Sequence, residues 1–284
     1  IRSLLKKMIE LNASDLHIMA NAPITFRVNE RLVSLDGDIT DPKASEELIY
    51  SMLSEQMIKT FRQGKELDFS FEVENLSRFR INIFLQRGSI SAAIRAIPLK
   101  IKSFEELGLP IKTMENLCKK PKGLILITGA TGSGKSTTLA SMIDWINTNR
   151  DAHIITIEDP IEFVHSNKKS IIEQREVGPD TLSFGNALKY ILRQDPDIIL
   201  IGEMRDLETV ESALNIAETG HLVFATLHTP DAAQSINRII DIFPPHQQQQ
   251  IRAQLSFVLL AVMCQQLIPK LDGKNRALAY ELLI

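Results

Sequence analysis

Cysteine is scarce in this chain. The 284 residues hold two, Cys118 and Cys264, far apart and neither in a C-x-x-C pair. That excludes a disulfide framework and a paired-cysteine zinc site, and leaves two reduced, buried thiols of a cytoplasmic protein as the expectation. A basic surplus is missing too. Lys and Arg number 32 against 35 Asp and Glu, a net charge of −3, so nothing in the overall balance points to nucleic acid, whose binders carry excess cations. Local basic patches stay open. No apolar run approaches the roughly 18 residues that a membrane span needs, and the first residues lack a signal-peptide pattern. Any membrane role therefore goes through a partner. What remains is ordinary for a soluble globular protein with a core: 44% apolar and 24% charged residues. The length exceeds one typical domain, so two are expected. Ala277–Ile284 reads as a strand with nothing following it, and both ends look like cut points.

Against that background one loop stands out. Residues 129–136 read Gly129-Ala130-Thr131-Gly132-Ser133-Gly134-Lys135-Ser136, which fits the phosphate-binding pattern G-x-x-x-x-G-K-[ST]. Both flanks are of the right kind. Leu124-Ile125-Leu126-Ile127 precedes it as a buried strand, and Thr137 opens a stretch to Asn149 with Leu139, Met142, Ile143 and Ile146 at helical spacing. Glycines let the backbone aim successive N–H groups at phosphate oxygens, and the following helix N-terminus adds its dipole. Lys135 is expected on the β- and γ-phosphates and the Ser136 hydroxyl on Mg²⁺. The chain reads as a nucleotide-binding protein.

Around that loop the pattern changes once. Ser3 to Leu11 has an amphipathic helix pattern, and Asp15-Leu16-His17-Ile18 starts a strand. Helical spacing from Glu46 to Arg62 ends at a stop signal, Gly64. Leu67, Phe69, Phe71 and Val73 then alternate with polar residues, as do Phe79 to Leu85 and Ile90 to Ala96. This predicts an antiparallel meander with helices on one face, an α+β module. Arg80 and Arg95 fall on the polar faces of those strands, where pattern alone makes them solvated surface residues. Pro98 to Pro110 reads as a polar, mobile linker. Beyond it, apolar runs at Leu124–Thr128, Ile154–Ile157, Ile198–Ile201 and Leu222–Ala225 alternate with helical stretches, the signature of a parallel sheet covered on both faces. Pro245 to Leu267 reads as one helix, or two in series.

Hydrolysis needs groups to hold Mg²⁺ and orient water, and in a parallel sheet these belong at carboxyl ends of strands. Three expected strand ends qualify. One runs into Gly202-Glu203, with Arg205 and Asp206 beyond; one into Glu158-Asp159-Pro160, with Glu162 following; one into Thr226-Leu227-His228-Thr229, with His221 at its start. The usual second nucleotide motif has an aspartate where this chain has Gly202. Mg²⁺ is therefore expected on Ser136 and largely on water, with Glu203 reaching it or polarising the attacking water. Either Glu158 or Glu162 could be the general base; spacing does not choose. His228, near the γ-phosphate, could report whether phosphate is present.

Four blocks thus occur in order: 129–136, Ile157-Glu158-Asp159-Pro160-Ile161-Glu162, Gly202-Glu203-Met204-Arg205-Asp206, and Gly220-His221 through Thr226-Leu227-His228-Thr229. Together they resemble the Walker A, Asp box, Walker B and His box of the type II/IV secretion ATPase superfamily. The likeness extends to Ser14-Asp15-Leu16-His17 and Arg78-Phe79-Arg80. Two isolated cysteines instead of a tetracysteine zinc insertion, and Met204 within the third block, resemble the pilus-retraction branch. The resemblance implies an α/β chain: a PAS-like α+β domain at 1–97, a linker at 98–110 and a RecA-like P-loop ATPase domain at 111–284, assembled as a homohexameric ring. It implies Mg²⁺-dependent ATP hydrolysis that drives type IV pilus retraction and twitching motility. The ring would sit peripherally at the cytoplasmic face of the inner membrane and act on a platform protein, with no nucleic acid and no direct membrane insertion. It makes Glu162 rather than Glu158 the base, with Glu158, Asp159 and His221 in sensing or structural roles. It also reverses the reading of Arg80 and Arg95, which become arginine fingers near the γ-phosphate. Members of the branch continue past Ala279-Tyr280-Glu281 into a helical segment tied to retraction. These 284 residues do not include it, so hydrolysis without motility is the expectation for this length of chain. Three alternatives stand beside this reading: an assembly or secretion ATPase of the same superfamily, a nucleic-acid translocase, and a nucleotide-gated scaffold that does not hydrolyse.

Overall fold

The computed structural model describes residues 1–29, 31–35, 39–74, 76–97, 100–270 and 276–284, which form two compact units, Ile1–Leu99 and Lys100–Ile284. The first two residues of the expected linker, 98 and 99, lie outside the described residues.

In the first unit the chain runs α1 (Arg2–Glu10), β1 (Asp15–Ile18), β2 (Thr25–Val28), β3 (Arg31–Ser34), α2 (Pro42–Tyr50), α3 (Glu55–Gly64), β4 (Glu66–Val73), β5 (Ser77–Gln86) and β6 (Ser89–Ile97). The strands pair antiparallel in the order β3-β2-β1-β6-β5-β4. Successive side chains of a strand point to opposite faces, so Phe79, Ile81 and Ile83 share one face with Leu16, Phe26 and Ile94. Leu5 and Met8 of α1, Ile49 of α2 and Phe61 of α3 complete that core. The expected meander is its β4-β5-β6 half. The expected single helix from Glu46 to Arg62 is instead two. Asp41 caps α2 by accepting from the Ala44 N–H at 2.8 Å, and Ser54 caps α3 by accepting from the Met57 N–H at 3.3 Å. A serine within an apolar-periodic run thus starts a new helix. The stop signal is displaced by one residue, since Gly64 is still helical and Lys65 adopts the left-handed conformation at φ 63°.

The second unit starts with α4 (Phe104–Leu107) and α5 (Ile111–Cys118). The stretch expected as a mobile connection thus contains a helix, α4. Ser103 and Glu106 form a capping box around α4, and Phe104 and Leu109 are buried in the core of this unit. Next come β7 (Gly123–Thr128), α6 (Lys135–Asn149), β8 (His153–Glu158), β9 (Ile171–Glu176), α7 (Phe184–Ile191), β10 (Ile198–Ile201), α8 (Leu207–Glu218), β11 (Leu222–Leu227), α9 (Ala232–Asp241), α10 (Pro245–Val258), β12 (Leu259–Pro269) and β13 (Arg276–Leu283). They build a seven-stranded sheet in the order β13-β12-β7-β11-β10-β8-β9. All its pairings are parallel except that of β12 with β13. Leu124, Leu126, Ile199 and Ile201 pack on the side of α7 to α10, while Ile125, Ile127, Ile198 and Leu200 pack on the side of α4 to α6. A parallel strand covered on both faces is apolar throughout, which is why these runs are continuous.

One expectation fails here. Pro245 to Leu267 is not wholly helical: α10 ends at Val258, and Leu259–Pro269 is β12, paired with β7 and β13. From Val258 to Cys264 every residue is apolar, so the stretch has no period, and neither buried helix nor buried strand is distinguished by pattern.

Candidate functional site

β7, β11, β10 and β8 are consecutive neighbours and all parallel, so their carboxyl ends lie along one edge of the sheet. The loop after β7 holds the phosphate-binding motif. Gly129, Gly132 and Gly134 have φ of 135°, 78° and 94°, a region that L side chains rarely enter. At Gly129 space also forbids a side chain: a Cβ there would lie 2.3 Å from the Gln265 carbonyl oxygen of β12. At Gly132 a Cβ would meet nothing within 4 Å, so there the positive φ alone calls for glycine. Ser133 Oγ is buried without a protein partner among the described residues. Lys135 begins α6 and donates to the Gly129 and Ala130 carbonyls at 2.9 and 3.0 Å. Ser136 and Thr137 follow in the first turn of α6, and Ala130 and Thr131 complete the loop between the first two glycines. A glycine-shaped backbone loop, an orphaned hydroxyl and an ammonium held by loop carbonyls together fit a phosphate chain.

The other strand ends converge on Lys135. His228 follows β11, and its Nδ1 lies 3.5 Å from Lys135 Nζ while its Nε2 lies 3.2 Å from Glu203 Oε1. The ring thus bridges the Lys135 ammonium and the Glu203 carboxylate. Arg205 closes on the other Glu203 oxygen at 2.7 Å. Desolvation pushes the Glu203 carboxyl up, but the Arg205 hydrogen bond and the nearby His228 outweigh it and hold the group below the usual carboxylate range. Desolvation in turn lowers Lys135, opposed by the charges of Glu203 and Glu162. Glu162 thus acts electrostatically on the same ammonium, from an exposed position between buried Ile161 and Phe163.

Glu158 and Glu162 are not equivalent. Glu158 ends β8 and accepts from Thr156 Oγ1 at 2.7 Å and Gln174 Nε2 at 3.2 Å. Part of the residue still reaches solvent, yet its carboxyl is packed inside, and desolvation pushes it up to about 7. Asp159 is exposed and adds to the negative field around Arg205. His221 sits at the opposite end of β11 from His228 and contacts the Ile216 carbonyl at 3.1 Å and Thr219 Oγ1 at 3.3 Å, closing the turn after α8. Gly202, where the usual motif has aspartate, packs against the neighbouring strand: a Cβ would lie 3.1 Å from the Ile157 carbonyl and 3.2 Å from Glu158 Cα. Among the described residues no cluster of His, Cys, Asp and Glu has the makings of a metal cage. A site with one hydroxyl, Ser136, and one nearby carboxylate, Glu203, suits Mg²⁺, which keeps several waters and takes the rest from phosphate.

Arg80 and Arg95 belong to the first unit and are direct cross-strand partners on β5 and β6. Each holds a carboxylate there, Arg80 to Asp68 and Arg95 to Asp15, both at 2.9 Å. Arg205 lies within the third motif block, which gives it no role of its own, and Gln174 carries no motif signal, because it sits on β9, whose sequence alternates too weakly to mark it.

The family model described as "Type II/IV secretion system protein" matches residues 1–282. The type IV pilus retraction ATPase PilT of Pseudomonas aeruginosa is 47% identical over all of this chain and 82% of its own length. A solved structure described as the pilus retraction motor PilT with bound ADP superposes with a TM-score of 0.96 at 54% identity, over 100% of this chain and 82% of that one. The type II secretion system protein E of Xanthomonas campestris is more distant, 33% identical over 97% of this chain and 48% of its own length. With a family model spanning nearly every residue and the nucleotide site in place, the chain belongs to the type II/IV secretion system protein family.

Proposed function

We propose that the chain is a Mg²⁺-dependent ATPase motor of the pilus-retraction kind, working as a homohexamer on an inner-membrane platform protein from the cytoplasmic side. The observation that carries the enzymatic reading is the contact chain Lys135–His228–Glu203 at one sheet edge, beside the phosphate-binding loop and within the field of Glu162. Identity at 47% to a retraction ATPase, against 33% to a type II secretion protein, supports retraction over secretion. Among the described residues no helix is long and apolar enough to cross a membrane, which supports force transmission through a separate membrane protein.

In this reading Lys135 leaves the loop carbonyls for the β- and γ-phosphates of ATP, and the N–H groups from Gly129 to Ser136 cradle the chain of phosphates. Ser136 and, through water, Glu203 would hold Mg²⁺, which supplies neutralisation of developing phosphate charge. Glu162 takes the proton from the attacking water as its oxygen bonds to the γ-phosphorus and the bond to the β–γ bridging oxygen breaks, leaving ADP and phosphate. His228, coupled to both Lys135 and Glu203, changes partners when phosphate arrives or leaves. Arg80 and Arg95 act on the γ-phosphate of a neighbouring subunit, exchanging Asp68 and Asp15 for phosphate oxygens. An arginine so placed is worth about 10³–10⁵ in rate.

The test is Glu203→Gln. Nucleotide binding, read with a fluorescent ATP analogue, is expected to stay within about twofold, while kcat falls by about 10²–10³, the scale of losing one charge-stabilising group. Undiminished phosphate release would remove Glu203 from the mechanism.

A further inference from the structure

The segment that carries Glu162 has no regular structure of its own, yet four of its backbone groups are tied to side chains of β8 and β9. The Ile161 N–H donates to Glu176 Oε2 at 3.1 Å. The Glu162 N–H faces the Glu158 carboxyl. The Phe163 carbonyl accepts from Gln174 Nε2 at 2.8 Å, and the His165 N–H donates to Gln174 Oε1 at 2.8 Å. Gln174 gives its remaining donor to Glu158 at 3.2 Å.

The parallel register explains how these groups meet. Thr156 lies opposite Gln174 and Glu158 opposite Glu176. Residues two apart on a strand share a face, so the four side chains form one polar patch at the end of two strands. The Gln174 amide holds three partners at once: two through its N–H₂, one through its oxygen. That is a fixed, planar fork. It grips the turn on the far side of Glu162 while Glu176 grips the near side, and buried Ile161 and Phe163 anchor the flanks. Glu162 between them is aimed outward and needs no contact of its own to be placed.

We infer that Gln174, with Glu158 beneath it, is a positioning residue for catalysis: it fixes the turn that sets Glu162 against the attacking water. Its part is to act through Glu162 and not on the nucleotide itself. This rests on Glu162 being the base, and a small displacement of a catalytic group is enough to matter, about 10²-fold in rate for an ångström.

The experiment compares Gln174→Leu, Glu162→Gln and the double variant, measuring kcat and KM for MgATP and the dissociation constant of a fluorescent ATP analogue. Gln174→Leu is expected to lower kcat by about 10²-fold with KM and nucleotide affinity within about twofold of the parent, the signature of a loss felt only in the transition state. Added to Glu162→Gln it is expected to cost nothing more, because both act through one group. A Gln174→Leu chain with parental kcat beside an inactive Glu162→Gln overturns the inference and leaves the base reading intact. Parallel losses of kcat and nucleotide affinity overturn it as well, since they mark general disruption. An active Glu162→Gln overturns the base reading and the inference with it. If Gln174→Leu does not fold, isosteric Gln174→Glu answers the same question: it keeps the acceptor for the His165 N–H and loses the two donated bonds.

Discussion

Lys135 turns its ammonium onto the carbonyls of Gly129 and Ala130, with His228 and Glu203 next in line. Every side chain in that relay is named by a short motif, because each stands at the end of an apolar strand run and local sequence marks both. Glu158 is a different case. Its motif makes it a candidate base alongside Glu162, and only the strand register reveals that its carboxyl is enclosed by Thr156 and Gln174. Its carboxyl lies near 7 in the fold against an ordinary value of 4.5, chiefly through desolvation. The fold binds that proton more tightly than the unfolded chain does, so the contribution to stability is complete below about pH 4.5 and is lost as pH rises to about 7. Glu158→Gln keeps an acceptor for both hydrogen bonds and cannot ionise. It is expected to stabilise the protein at pH 8 by about 3 kcal/mol more than at pH 4.5, the energy of a shift of this size. Denaturation midpoints of both chains at the two pH values measure this, and a gap independent of pH contradicts it.

At the scale of elements, β12 decides how the phosphate loop is built. Its period-free apolar sequence hides it as a helix, yet it lies beside β7, and its Gln265 touches both the loop and the helix that follows it. The backbone oxygen fills the place of a Gly129 side chain, and the amide donates to Thr138 Oγ1 of α6 at 3.0 Å. A parallel strand acquires its meaning from a partner remote in sequence, so β12 was as illegible as β7 was plain. The same holds for β2, β3 and β9, short or weakly alternating strands that need their neighbours. Gly129→Ala puts a methyl group against the Gln265 backbone at a φ of 135°, where nothing flexible can yield. It is expected to abolish nucleotide binding and lower stability by about 2–4 kcal/mol, strain and overpacking acting together. Gly132→Ala meets a milder backbone strain, at a φ of 78°, and no clash, and is expected to cost less. Equal melting temperatures for the two variants would contradict a role for β12 in shaping the loop.

At the scale of the molecule, Lys135, Glu203 and His228 belong to the second unit, while Arg80 and Arg95, the proposed fingers, belong to the first. Arg80 and Arg95 sit side by side on an exposed sheet face, each neutralised by an aspartate. Strand alternation alone makes them surface residues; in the proposed ring the same face would meet a neighbouring subunit. Both descriptions fit one residue, because a finger offered to another chain must be exposed on its own. The ATPase rate per chain against protein concentration, followed together with sedimentation, tests this most directly. A rate per chain that climbs as rings assemble and then levels off, and that stays low for Arg80→Ala and Arg95→Ala once assembled, is the expected result. Full turnover from chains that sediment as monomers, or no phosphate release at any concentration, would contradict a motor whose site is completed by its neighbour.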